Sequence, residues 1–224
     1  MRAVLVLTAV DVEARGLARH LALPRVLSSD FPHFAGGALE IACVGLRAGH
    51  IARAERCRAP SLVISAGTCG ALAPALVAGD LVVPETVLGP AGVRYTTAPL
   101  PGNPAAGTLV TVTDIVHSGA QKTRLWMESG ALAVDMESAA IVAWAQARGV
   151  MGAVVRAVSD TSERGVPADL AAVVADDGRV RTLRAVSAVL ARPRAAADAM
   201  ALRSTTNVAL KVIAQALGRI VRLQ

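Results

Sequence analysis

Four groups of polar residues stand where apolar runs end, and they are the parts of this chain best suited to chemistry. Glu13 follows the run at residues 2–7, and Ala66-Gly67-Thr68-Cys69-Gly70 follows the run at 61–65. Asp135, Met136, Glu137 and Ser138 follow a short run at 131–134, while Arg156, Ser159 and Asp160 lie in and just past the run at 153–158. Glycines at 67 and 70 would let backbone N–H groups approach an anion or a sugar, and Thr68 adds a hydroxyl. Their spacing is neither that of the P-loop nor that of the dinucleotide fingerprint, so a plain tight turn is the competing reading. Asp135 suits a helix N-cap, and Glu137 falls in the first helical turn, where the dipole favours a carboxylate. Capping accounts for Asp135 but not for a second carboxylate at the mouth of the sheet. An arginine inside an apolar strand is costly without a carboxylate partner. The plain expectation is an Arg156–Asp160 ion pair; the functional one notes that Asp160 lies past a strand's carboxyl end, where open α/β sheets bind ligands.

Other chemistries find little support. His20, His33, His50 and His117 have no ligand spacing, and Cys43, Cys57 and Cys69 form no C-x-x-C pair, so no metal site is expected. Three cysteines suit a reducing cytoplasm better than a disulfide framework. Cys69 has no base beside it in sequence.

The elements that must position these residues alternate. Apolar runs at 2–7, 39–44, 61–65, 80–83, 108–113, 131–134 and 153–158 read as strands, and those without polar alternation as strands covered on both faces. Periodic stretches at 11–22, 48–58 and 136–148 read as helices, as does most of the chain from about residue 167. The proline-rich stretch 84–107 reads as a long loop. Alternating strands and helices predict one α/β domain over residues 1–224, a three-layer α/β/α sandwich around a mixed sheet.

The chain has 224 residues, 54% of them hydrophobic, and a formal net charge of +6. Its only lysines are Lys122 and Lys211. Almost all of the excess base lies in residues 191–224, where Arg192, Arg194, Arg203, Lys211, Arg219 and Arg222 face Asp198 alone. The rest is near neutral and only 2% of residues are aromatic, which argues against a nucleic-acid groove. The tail also carries a helical apolar pattern at Ala201, Leu202, Val208, Val212, Ile213, Ala216, Leu217 and Ile220. Such a helix either packs on the core or makes peripheral contact with an anionic membrane surface.

Taken in order, the motifs resemble those of the nucleoside phosphorylase and nucleosidase superfamily. They are Ala9-x-x-x-Glu13, SAGTCGALAP with GDLVVP at 65–84, AVDMESAA at 133–140 and VVRAVSD at 154–160. Glu13 and the DMES run are most similar to methylthioadenosine/S-adenosylhomocysteine nucleosidases. The stretch after Asp160 looks more like the hopanoid-associated phosphorylases, a branch linked to removing adenine from adenosylhopane. The resemblance implies cleavage of the N-glycosidic bond of a purine nucleoside, without cofactor, by a homo-oligomer, most simply a dimer. It assigns Asp160 as the general acid at purine N7, oriented by Ser159. Glu137 would grip the ribose hydroxyls, with Met136 against the sugar, and Glu13 would act on an attacking water. Thr68 matches a serine near the nucleophile, and Val116 and His117 align with residues that hold the base. Two departures matter. Ser65 stands where phosphorolytic members often carry arginine, and Val116 where many carry an aromatic ring. Glu13 and Ser65 point to hydrolysis, but Arg47 with Gly67 and Thr68 could share one inorganic phosphate, and with the resemblance of the later chain this tips the expectation towards phosphorolysis, with hydrolysis as the alternative. A nucleoside-binding module without turnover is the other class, and the presence of both Asp160 and Glu137 speaks against it.

Overall fold

A computed structural model describes residues 3–164, 177–178 and 194–223. The helical reading from about 167 therefore falls largely outside the described residues, as does the start of the basic segment at 191–193.

Apolar, β-branched stretches form the middle layer. The strands are β1 (Val4–Thr8), β2 (His33–Gly36), β3 (Leu39–Cys43), β4 (Leu62–Ala71), β5 (Leu81–Val82), β6 (Thr86–Leu88), β7 (Arg94–Thr96), β8 (Thr108–Thr111), β9 (Ala133–Asp135) and β10 (Met151–Asp160). The helices are α1 (Asp11–His20), α2 (Gly119–Ser129), α3 (Ser138–Gln146) and α4 (Arg194–Arg222). Within β1 the side chains alternate between the faces. Val4 and Val6 pack with Leu17 of α1 and with Leu210, Ile213 and Leu217 of α4, whereas Leu5 and Leu7 pack with Ile141 and Ala145 of α3. Helices thus cover both faces of a mixed sheet, giving the three-layer α/β/α architecture.

The path β2-β3-β1-β4-β9-β8-β6-β7 holds the key irregularity. Strand β4 pairs with β10 from Leu62 to Gly70. On its other edge it pairs with β1 only from Leu62 to Ser65, and with β9 only at Gly70 and Ala71. Residues 66–69 of β4 thus have no strand on that edge, and the sheet divides there. Such a fork is the place where α/β sheets bind ligands.

Several sequence expectations change. The glycine stretch 66–70 is not a loop but the second half of β4. The stretch 84–107 holds two short strands, β6 and β7, in an antiparallel pair between its prolines. Residues 48–58 form only short 3-10 turns at Leu46–Ala48 and Ile51–Arg56. Strand β2 and helix α2 were not expected. In α4, Ile213, Ala216, Leu217 and Ile220 are buried against the core, whereas Val208 is half exposed. That face is largely used within the protein.

Candidate active site

The fork opens into a cavity of about 260 Å³. Its walls come from the end of β1 and the start of α1 (Ala9, Val10, Glu13), the second half of β4 (Thr68, Cys69, Gly70), the end of β9 (Asp135, Met136, Glu137) and the end of β10 (Arg156, Ser159, Asp160). All four polar groups singled out in the sequence therefore meet in one place. Leu46, Val134 of β9, Val112, Asp114, Ile115 and Val116 from the segment after β8, and Lys122 from α2 complete the lining.

Glu13 enters because α1 starts directly after β1. Its Oε2 accepts the Val10 N–H at 3.4 Å, and its Oε1 accepts the Thr68 N–H at 2.8 Å and the Thr68 hydroxyl at 3.1 Å. It is 3% exposed. Gly67 makes this approach geometrically feasible. A Cβ there would lie 2.6 Å from Glu13 Oε1 and 2.7 Å from Arg156 Nη1. The glycine serves close packing of charged side chains onto the backbone, not a turn.

Arg156 is held by Asp135, not by Asp160. Its Nη2 lies 2.6 Å from Asp135 Oδ2 and 3.6 Å from Glu137 Oε2, and it donates to Ser65 Oγ at 2.9 Å. The expected Arg156–Asp160 pair is thus replaced by a buried cluster. Register explains this: Arg156 lies opposite Gly67 of β4, and the missing side chain leaves the guanidinium a path towards β9. Asp135 belongs to β9, yet its Oδ2 still accepts the Ser138 N–H at 3.1 Å at the start of α3. Thr111 donates to Asp135 Oδ1 at 2.7 Å. Glu137 occupies the cap position itself and accepts the Arg47 N–H at 3.1 Å. Burial pushes its carboxyl up to about 7, against the pull of Arg156, with Asp135 and Glu13 adding to the rise. A carboxylate poised near neutrality in a cavity marks a functional candidate.

Asp160 sits across the cavity. Ser159 Oγ donates to its Oδ1 at 2.7 Å, so the orienting role expected of Ser159 has its contact. Its Oδ2 is in direct contact with the ammonium of Lys122. Lys122 lines the cavity and was not among the site residues expected from the sequence. Its one signal was rarity, as one of two lysines among many arginines.

Other expected residues lie differently. Met136 and Val116 line the cavity, but His117 is exposed outside the lining, with its N–H on Gln121 Oε1 at 2.9 Å. Arg47 is exposed too. Its Nε donates to the Thr113 carbonyl at 2.7 Å, and it does not line the cavity. Cys69 lines the wall, but burial pushes its thiol well above the usual range, which disfavours the thiolate form a nucleophile needs.

Comparison with known proteins agrees with this architecture. No curated protein sequence matches the chain. Among solved structures, the 5′-methylthioadenosine nucleosidase of Arabidopsis thaliana superposes with a TM-score of 0.72 at 17% identity, covering 100% of this chain and 96% of that one. The futalosine hydrolase of Helicobacter pylori gives 0.71 at 15% identity, covering 100% and 98%. The 5′-methylthioadenosine/S-adenosylhomocysteine nucleosidase of Neisseria meningitidis gives 0.69 at 18%, covering 100% of both. A family model described as the phosphorylase superfamily matches residues 101–191, the segment that carries Lys122, Asp135, Glu137, Arg156 and Asp160. That match covers less than half of the chain, and over its whole length the chain is similar in fold to these nucleosidases and to the futalosine hydrolase.

Proposed function

We propose that this protein cleaves the N-glycosidic bond of a purine nucleoside and that water is the nucleophile. The observation that carries this reading is the charge of the cavity. Glu13, Asp114, Asp135, Glu137 and Asp160 line it against Lys122 and Arg156, and both of those cations are in contact with carboxylates. Glycosidic cleavage develops positive charge on the sugar, which such surroundings stabilise. A phosphate dianion in the same space would meet five carboxyl groups and, among the lining residues, no cation that is not already in contact with a carboxylate. Arg47, on which the expectation of phosphorolysis leaned, is engaged at Thr113 outside the lining. The geometry therefore favours hydrolysis.

In this reading the C1′–N9 bond breaks, its electron pair goes to the purine, and N7 receives a proton from Asp160. Water adds to C1′ and gives its proton to Glu13, whose carboxylate is fixed by Thr68. Glu137 accepts from the ribose hydroxyls, Met136 lies under the sugar, and Val112, Ile115 and Val116 form an apolar seat for the base. The similar nucleosidases act, by name, on 5′-methylthioadenosine and S-adenosylhomocysteine. This supports 5′-substituted adenosines as the first substrates to try, adenosylhopane among them. The test is release of free adenine from such a panel. Asp160→Asn should lower kcat by about 100-fold or more, the usual scale of general-acid loss. A variant with near wild-type kcat would contradict the reading.

A further inference from the structure

Lys122 presents a problem that the proposed function does not solve. It is 1% exposed, on a helix whose Gln121, Arg124 and Glu128 face solvent. Its ammonium contacts Asp160 Oδ2, donates to the Thr161 carbonyl at 2.7 Å and reaches the Asp160 carbonyl at 3.4 Å. Burying an ammonium is expensive unless it is paired. Elsewhere this chain places arginine at nearly every basic position. The two cations differ in one respect that matters here. An ammonium can give up a proton, whereas a guanidinium in a protein does not.

The surroundings of Asp160 sharpen the point. One oxygen accepts from the Ser159 hydroxyl and the other meets the ammonium. Both contacts suit a carboxylate, yet a departing purine needs an acid. The pair as a whole still holds one transferable proton. Resting on the proposed function, we propose that Lys122 is a positioning residue that acts through Asp160 as its proton store.

As the C1′–N9 pair moves onto the purine, a proton passes from Nζ to Asp160 Oδ2 and from that carboxyl to N7. Lys122 is left as the neutral amine and Asp160 as the carboxylate. The proton of the attacking water resides on Glu13. Release of that proton to solvent and uptake of one by Lys122 restore the starting state, so the cycle consumes only nucleoside and water.

The experiment compares two leaving groups on the full chain, an adenine nucleoside and 4-nitrophenyl riboside, whose nitrophenolate leaves without a proton. The quantity read is the ratio of kcat values, purine over nitrophenyl. Lys122→Met should lower this ratio about 100-fold. Lys122→Arg restores the charge but not the transferable proton, and should leave the ratio low. Nitrophenyl riboside turnover and a thermal melt report whether each variant is folded. An unchanged ratio in Lys122→Met, or a ratio restored by Lys122→Arg, would overturn the proton-store role while leaving the proposed function standing. A wild-type protein that cleaves neither compound would overturn the proposed function itself, and this role with it.

Discussion

Arg156→Met removes the cation at the centre of the buried cluster while keeping most of the apolar stem. Arg156 is 1% exposed and holds Asp135 at 2.6 Å, with Glu137 at 3.6 Å. Its loss leaves two buried carboxylates facing a gap. Removing one partner of a buried pair costs about 3–5 kcal/mol. At roughly 2–4 °C per kcal/mol for a chain of this size, Tm should fall by about 6–20 °C. The sign of the pH dependence follows from Glu137. Its carboxyl is already pushed up to about 7 by burial, and Arg156 is the strongest influence holding it down. Without Arg156 it rises further. A carboxyl raised on folding contributes stability that is full below its unfolded value and is lost as pH rises through its folded value. The variant should therefore lose less near pH 5 than near pH 8. Thermal and urea denaturation at both pH values measure this, and a double-mutant cycle with Asp135→Asn isolates the pair. A loss below about 1 kcal/mol, far under the range for a broken buried pair, or one independent of pH, would refute the reasoning.

Two further outcomes follow from the same geometry. Gly67→Ala would bring a Cβ to 2.6 Å from Glu13 Oε1 and so displace the carboxylate; kcat should fall about 100-fold, the scale of a 1 Å misplacement, as measured by steady-state turnover. The kcat/KM of the wild type should rise with pH through about 7 as Glu137 ionises, and Glu137→Gln should lower activity and abolish that limb of the pH profile.

The sequence disclosed the layers better than the pairings. Continuous apolar runs gave β1, β3 and β10 because strands covered on both faces carry no polar alternation to confuse the reading. The glycine stretch was misread because glycine signals both turns and close approach. Here Gly67 admits Glu13 and Arg156 to the backbone within a strand, a requirement set by residues 54 and 89 positions away. The partner of Arg156 was misassigned for the same reason. Asp160 is near in sequence, but Asp135 is nearer across the forked sheet. Helix α2 was missed because polar residues outnumber apolar ones along it, although Ser118 accepts the Gln121 N–H at 3.2 Å as an N-cap should. With α2 went Lys122. Of the residues expected at the site, Glu13, Thr68, Val116, Met136, Glu137, Ser159 and Asp160 line one cavity, whereas Arg47 and His117 are exposed outside its lining.

The most direct test of the account is the identity of the sugar product. Purified protein is given a 5′-substituted adenosine with and without inorganic phosphate, and both products are identified by mass. The account predicts free adenine and the free reducing sugar at the same rate in both buffers, with oxygen from labelled water at C1′. A requirement for phosphate, with a pentose 1-phosphate as product, would contradict it.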